Sequence, residues 1–194
     1  MQRIKHDNPN TIEYWHDQAE NREFLTRNFD GKAGNLPYEI SKHINYGDRV
    51  LDVGVGSGMI LRWVKKLRPD IYFAACDFND MAVDWVREKI PINEVFQADL
   101  RTALPCSAGS YDVVYSTEVV EHMEEPAKAV EELDRISHRC FMITVSFREQ
   151  GRLSSEHLWE FNIDDVYDLL SPYGMVYLTV VNGGSNILGV CYKR

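Results

Sequence analysis

The stretch R-V-L-D-V-G-V-G-S-G, from Arg49 to Gly58, decides the fold of this chain. The apolar residues around Asp52 are typical of a short buried strand, and three glycines at alternate positions then predict a turn that opens into a helix. Glycine lets a ligand approach the main chain closely, and the first turn of a helix offers unpaired N–H groups. We therefore expect a binding site here, with a purely structural tight turn as the alternative.

The size and composition of the chain indicate one domain. With 194 residues and a hydrophobic content of 44%, the chain can bury one core but hardly two. We therefore predict a single domain over residues 1–194. No apolar run approaches the roughly 18 residues that a membrane-spanning helix needs, and the first residues are polar, so we expect a cytoplasmic protein without membrane contact.

The charge balance bears on the possible partners. The chain has 30 acidic and 21 basic residues, which gives a formal net charge of −9. An acidic protein does not attract nucleic acid or anionic lipid through its overall field. A small-molecule substrate is therefore favoured and RNA is disfavoured, while the sequence does not indicate the oligomeric state.

The cysteines do not form a metal or redox motif. The four residues, Cys76, Cys106, Cys140 and Cys191, are scattered and none belongs to a C-x-x-C pair. Three of them lie in apolar, strand-like surroundings. We therefore predict buried, reduced thiols.

Acidic residues follow successive predicted strands. Asp77 follows a strand at residues 71–76, Asp99 follows one at residues 94–98, and a further strand is predicted at residues 111–116. In doubly wound folds, an acid about twenty residues past the glycines binds the ribose hydroxyls. That role is predicted for Asp77, with a helix N-terminal acid as the alternative.

The second half of the chain completes an α/β pattern. An amphipathic helix is predicted with Ala127, Val130, Leu133 and Ile136 facing inward, followed by a fifth strand at residues 140–147. Two final strands flank Asn182–Ser185, which is a hairpin signal. The fold class is therefore α/β, a doubly wound seven-stranded sheet with an antiparallel C-terminal hairpin.

The glycine turn and the strand-end acids together resemble motifs of the class I S-adenosylmethionine (SAM) dependent methyltransferases. The G-x-G-x-G spacing differs from the dinucleotide fingerprint G-x-G-x-x-G, which disfavours a dehydrogenase. The resemblance implies a Rossmann-like core over residues 47–194 and SAM as cofactor. It assigns cofactor contacts to Asp52, Gly54, Gly56, Gly58, Asp77 (ribose hydroxyls), Phe78 (beside the adenine), Asp99 (adenine amino group), Leu100 (backbone N–H) and Thr117.

A second motif, E-x-x-E-H, follows the fourth predicted strand. If the turn is helical, Glu118, Glu121 and His122 share one face and could bind Mg²⁺ or Mn²⁺. The motif is similar to one in ubiquinone-pathway O-methyltransferases and in small-RNA 3′-terminal 2′-O-methyltransferases, where it binds Mg²⁺. The latter family adds a histidine, to which His157 in E-H-L-W-E-F would correspond as a fourth ligand. A metal-free polar site and a purely structural role are the alternatives.

The N-terminal region and the connections are less regular. We expect one or two short helices within residues 1–46, then a loop over Gly31–Pro37. In the resembled family this region commonly forms part of a lid, so Tyr14, Trp15 and His16 are candidate contacts; packing on the domain explains them as well. The family's usual Pro-Gly-Gly turn before the fifth strand is absent.

The combined observations favour an enzyme. We expect methyl transfer from SAM to an oxygen, or less favourably a nitrogen, of a small molecule, with Glu118 and Glu121 facing the substrate and His122 or His157 accepting the proton. The alternatives are a Mg²⁺- or Mn²⁺-dependent 2′-O-methyltransferase of RNA 3′ ends and a non-catalytic SAM-binding regulatory protein. The acceptor is expected to contact the first 45 residues and Arg148–Phe161, where the fold constrains the sequence least.

Overall fold

The computed structural model describes residues 1–5, 7–20, 22–147 and 156–194. Part of the predicted acceptor region, residues 148–155, lies outside these ranges. The strands are β1 (Gln2–Arg3), β2 (Arg49–Val53), β3 (Tyr72–Asp77), β4 (Glu94–Gln97), β5 (Tyr111–Thr117), β6 (Ser137–Ser146), β7 (Trp159–Glu160), β8 (Gly174–Val181) and β9 (Asn186–Lys193). The helices are α1 (Ile12–Glu20), α2 (Arg22–Phe29), α3 (Leu36–Ser41), α4 (Met59–Leu67), α5 (Asp80–Lys89), α6 (Pro126–Ile136) and α7 (Ile163–Leu170).

Seven strands form the central sheet in the order β4-β3-β2-β5-β6-β9-β8. The first five of these run parallel, whereas β9 is antiparallel to both of its neighbours, β6 and β8. This arrangement confirms the predicted α/β sheet with its antiparallel C-terminal hairpin. The strand order reverses between β2 and β5, which is where open α/β sheets bind ligands at the carboxyl ends of their strands.

Both faces of the sheet are buried, and the side chains alternate between them. One face packs against α3, α4 and α5, with Val50, Phe73 and Met142 among its fully buried residues. The opposite face packs against α6 and α7, with Leu51 and Phe141 among its residues. Burial on both sides explains the nearly continuous apolar sequence of the central strands.

Several local expectations were wrong in detail. Ala127 is exposed on α6 and Ala129 is buried instead. The predicted loop over Gly31–Pro37 is interrupted because α3 already begins at Leu36. The fifth strand begins at Ser137, directly after α6, so the Pro-Gly-Gly turn is replaced by an immediate change from helix to strand.

Further local features complete the fold. Asn162 and Asp165 form a reciprocal capping box at the start of α7. The predicted hairpin between β8 and β9 is present, and Asn182, Gly183 and Gly184 in its turn all have positive φ. The four cysteines are free thiols, three of them buried. Within the described ranges, every helix is too short or too polar to cross a bilayer.

The packing of α6 on the sheet can be tested with Leu133→Ala. Leu133 is fully buried, and truncating a buried leucine leaves a cavity that costs about 2–5 kcal/mol. We expect urea denaturation to show that loss in the free energy of unfolding. Glu131→Ala, an exposed position on the same helix, should change it by less than about 0.5 kcal/mol; equal losses from both variants would contradict the assigned face.

Candidate functional site

A cavity of about 540 Å³ opens at the carboxyl ends of the central strands. Its wall combines the glycine turn after β2, the ends of β3 and β5, part of the N-terminal region and the turn between β8 and β9. Most residues that the sequence assigned to a cofactor line this cavity, namely Gly54, Gly56, Asp77, Phe78, Asp99, Leu100 and Thr117. Asp52 and Gly58 do not line it.

The glycine turn is hydrogen-bonded to the end of β3. The N–H groups of Gly54 and Val55 donate to the Cys76 carbonyl at 2.9 and 3.1 Å. The next N–H group along the turn, that of Gly56, donates to Asp77 Oδ2 at 2.8 Å. The main chain of the turn is thereby fixed against the strand that carries the first predicted acid.

The three glycines serve different purposes, although each has a positive φ. A Cβ at Gly54 would lie 2.5 Å from Val119 Cγ2, and one at Gly58 would lie 2.6 Å from Ile90 Cδ1. A Cβ at Gly56 would meet no heavy atom within 4 Å. Close packing therefore requires glycine at the first and third positions, whereas Gly56 faces the open cavity.

Asp52 is buried behind the cavity wall. It lies opposite Tyr115 of β5 in the sheet and is 1% exposed. Burial raises the pKa of Asp52 to about 8, the nearby Tyr115 hydroxyl opposes this increase, and the charge of Asp77 adds to it. The carboxyl group is thus buried and is not part of the cavity lining.

Asp77 connects the glycine turn to the start of α5. Its Oδ1 accepts the Asn79 N–H at 3.0 Å, while Oδ2 accepts that of Gly56. Burial raises the pKa of Asp77, and the backbone hydrogen bonds oppose this. Asn79 in turn caps α5 and donates through Nδ2 to the Trp15 carbonyl at 2.7 Å, which ties α1 to the cavity.

Glu118 has an unusual backbone conformation. It follows β5 with a φ of 55°, in the left-handed region that side chains other than glycine rarely adopt. Ser146 Oγ donates to its Oε2 at 3.0 Å, whereas the buried Oε1 has no hydrogen-bond partner among the described residues. Burial raises the pKa of Glu118, and the hydroxyls of Ser146 and Thr144 oppose this.

The other E-x-x-E-H residues lie on the 3-10 turn Val120–His122. Together with His157 they form one group: ligand atoms of Glu121, His122 and His157 all lie within 4.8 Å of one another. The N–H of Leu158 donates to the Glu121 carbonyl at 2.9 Å, which holds His157 beside the turn. Glu118 is not a member of this group, so the structure brings together three of the four predicted ligands.

Burial affects the protonation of this group. It raises the pKa of Glu121 well above its usual range, and the facing Glu118 charge raises it further. Burial and the nearby His157 lower the pKa of His122 to about 4. The imidazole of His122 is therefore neutral near pH 7, and its Nδ1 lies 3.1 Å from the Glu156 carbonyl. A donated hydrogen bond to that carbonyl places the proton on Nδ1 and leaves Nε2 as an acceptor or ligand atom.

The three N-terminal candidates lie in different environments. Trp15 lines the cavity, and its ring centroid is 5.6 Å from that of His122. Tyr14 does not line it; its hydroxyl donates to Glu156 Oε1 at 2.7 Å. His16 lies near Asp80, with 3.7 Å between Nε2 and Oδ1. Only Trp15 of the three therefore faces the predicted cofactor or substrate.

Some residues at the site were not predicted from the sequence. Arg101 hydrogen-bonds Asp99, and Asn182 and Asn186 line the far side of the cavity. Asn182 has a φ of 54° and donates through Nδ2 to Asn186 Oδ1 at 3.0 Å. Its place in a hairpin turn was predictable, but its orientation toward the cavity depends on the distant sheet edge.

Comparison with known proteins agrees with this architecture. A family model described as a methyltransferase domain matches residues 51–139. A "Probable S-adenosylmethionine-dependent methyltransferase" of Mycobacterium tuberculosis is 31% identical over 135 residues, which make up 66% of this chain and 48% of that protein. The chain thus spans about half the length of this curated relative.

Two solved structures share the fold. One is a chain of the complex between the Haloferax volcanii Trm112 methyltransferase activator and a methyltransferase, with a TM-score of 0.74, 16% identity, and coverage of 93% of this chain and 97% of that chain. The other is magnesium protoporphyrin IX methyltransferase from Synechocystis with bound SAH, with a TM-score of 0.70, 12% identity, and coverage of 95% and 100%. The family-model match over residues 51–139, the curated relative and the shared fold together support a class I SAM-dependent methyltransferase family for this chain.

Proposed function

We propose that this chain transfers the methyl group of SAM to an oxygen atom of a small-molecule acceptor. The observation that carries this proposal is Glu118, which lines the cavity and whose buried Oε1 has no hydrogen-bond partner among the described residues. A left-handed backbone conformation costs about 1–3 kcal/mol and is typically retained where function needs it. An acceptor hydroxyl bound beside Glu118 in the cavity can donate to its carboxylate and so become a better nucleophile.

The residues of the glycine turn and the strand ends would hold the cofactor. Asp77 would accept hydrogen bonds from the ribose hydroxyls, Asp99 and Leu100 would contact the adenine edge beside Phe78, and Gly56 would allow the methionine part to approach the main chain. The open space at Gly56 and the position of both acids on the cavity wall support these roles. Residues 1–46 would act as a lid, since Trp15 closes one side.

An oxygen acceptor suits this site better than an amine. A carboxylate beside an ammonium group stabilises the protonated form, which has no lone pair for attack. A carboxylate beside a hydroxyl accepts its proton or hydrogen bond without that penalty. The neutral His122, which also lines the cavity, provides a second acceptor for the proton.

A metal-assisted variant of this reaction is the second candidate. The observation that favours it is the group Glu121, His122 and His157, in which Glu121 Oε2 and His157 Nδ1 are buried and have no hydrogen-bond partner among the described residues. This donor set fits a divalent cation, and two imidazoles favour Mn²⁺ over Mg²⁺. Such a cation would act as a Lewis acid toward an acceptor diol.

An RNA 3′ terminus is one such diol, but the net charge of −9 opposes RNA binding without a basic partner.

The role of the turn can be tested with Gly56→Ala. A side chain at φ of 52° costs about 1 kcal/mol of stability, and its Cβ would also enter the space proposed for SAM. We expect calorimetry to show that SAH affinity falls about tenfold or more. Gly47→Ala is the matched control, because Gly47 has a φ of 76° and similarly open space outside the cavity. Equal SAH affinities in the two variants would contradict the proposed position.

The role of Glu118 can be tested with Glu118→Gln. We expect the rate of methyl transfer from ¹³C-methyl SAM to a low-molecular-weight cell extract to fall about 10²–10⁴-fold, while SAH affinity is retained. The ¹³C chemical shift of the product distinguishes a methyl ether from an N-methyl group. The exposed Glu125→Gln should behave as wild type. Unchanged rates in Glu118→Gln, or an N-methyl product, would contradict the proposal.

The metal candidate can be tested by titrating the protein with Mn²⁺ alone. If the three residues hold a cation, calorimetry and electron paramagnetic resonance should detect one site, and His157→Ala should weaken it about tenfold or more. His138→Ala removes an exposed histidine on β6 and should leave binding unchanged. Absence of Mn²⁺ binding, or equal binding by both variants, would rule out this second candidate and leave the metal-free reaction.

A further inference from the structure

Arg101 holds Asp99 through several hydrogen bonds at the adenine end of the cavity. Its Nε donates to Asp99 Oδ1 at 2.8 Å and to Oδ2 at 3.0 Å, and its Nη2 donates to Oδ2 at 2.7 Å. The backbone N–H of Arg101 donates to Oδ1 at 2.9 Å. Arg101 alone therefore binds the carboxylate both through its main chain and through its planar guanidinium group.

The same guanidinium group also contacts Phe78. The carbon at the centre of the guanidinium lies 4.8 Å from the centroid of the Phe78 ring, within the range of a cation–π contact. Phe78, Asp99 and Arg101 all line the cavity. One side chain thus fixes both groups that the proposed function places around the purine.

The hydrogen bonds leave a directional acceptor. A carboxylate offers about four lone-pair positions, and three N–H groups of Arg101 donate to Asp99: the backbone N–H to Oδ1, Nη2 to Oδ2, and Nε shared between the two oxygens. About one acceptor position is therefore left on the carboxylate. Burial would raise the pKa of Asp99, but the side-chain and backbone hydrogen bonds from Arg101 outweigh that effect and lower it. Asp99 is consequently an oriented, acceptor-only group on the cavity wall.

We propose that Arg101 is a positioning residue that makes Asp99 selective for a purine with a six-amino group over one with a six-oxo group. A six-amino group donates to the acceptor position that remains on the Asp99 carboxylate, whereas a six-oxo group places an acceptor against a carboxylate. This inference rests on the proposed adenine contact of Asp99. The new element is the role of Arg101, a residue outside both sequence motifs, in the specificity for the purine of the cofactor.

The experiment compares the affinities of SAH and S-inosylhomocysteine by calorimetry for wild type and Arg101→Ala. We expect wild type to prefer SAH about tenfold or more, since one hydrogen bond to a charged group is replaced by a repulsive contact. In Arg101→Ala, SAH should bind about tenfold more weakly and the preference should decrease. A purely structural role would weaken both ligands equally, so the affinity ratio is the diagnostic quantity.

Two further variants complete the test. Arg87→Ala removes an arginine that also pairs with an aspartate, Asp84, but on α5 outside the cavity; it should match wild type. Arg101→Gln serves as the second variant if Arg101→Ala does not fold, which thermal melting will show. Tighter SAH binding by the Arg101 variant would mean that Arg101 competes with the purine, and an unchanged ratio would mean that it does not set specificity; either result overturns the inference.

Asp99→Asn separates this inference from the proposed function. The asparagine amide can donate to a six-oxo group, so the preference for SAH should shrink or reverse. If Asp99→Asn changes the ratio and the Arg101 variant does not, the adenine contact stands and only the role of Arg101 fails. If Asp99→Asn leaves both affinity and ratio unchanged, the proposed adenine contact itself is wrong.

Discussion

The attachment of the glycine turn to the end of β3 is the constraint on which the rest of the site depends. Three successive N–H groups of the turn are used by β3, two by the Cys76 carbonyl and one by the Asp77 carboxylate. The turn cannot move independently of the neighbouring strand, and the start of α4 is fixed with it. Because the hydrogen bonds are made on the β3 side, the opposite side of Gly56 remains free for a ligand.

The buried carboxyl groups explain why this sheet edge suits a cationic ligand. Asp52, Asp77, Glu118 and Glu121 are concentrated near the carboxyl ends of β2, β3 and β5, and burial raises the pKa of all four. Carboxyl groups crowded in this way destabilise one another's charged forms. A positive charge in the cavity reverses that effect, and the sulfonium of SAM or a divalent cation would supply one.

Much of the fold was predictable because it follows from local pattern. Apolar strands ending in Asp77 and Asp99 necessarily bring both acids to one edge of a parallel sheet, so their positions on the cavity wall required no long-range information. That Asp52 does not line the cavity could not be read from the sequence, because a residue within a strand can face either side of the sheet. The fork between Arg101 and Asp99 was not predictable, since a long side chain next to an acid can equally extend into solvent.

The residues of the E-x-x-E-H motif lie in two environments, the cavity wall and the candidate metal site, because of the local backbone geometry. On an α-helix, residues spaced by three and four would share a face, which is the arrangement the sequence suggested. In the structure Glu118 precedes the short 3-10 turn in a left-handed conformation and lines the cavity, while Glu121 lies within ligand distance of His157. His122 belongs to both environments, because it lines the cavity and also lies beside His157. The acceptor site and the candidate metal site are therefore adjacent and share one imidazole, and a change in either alters the polarity of the other.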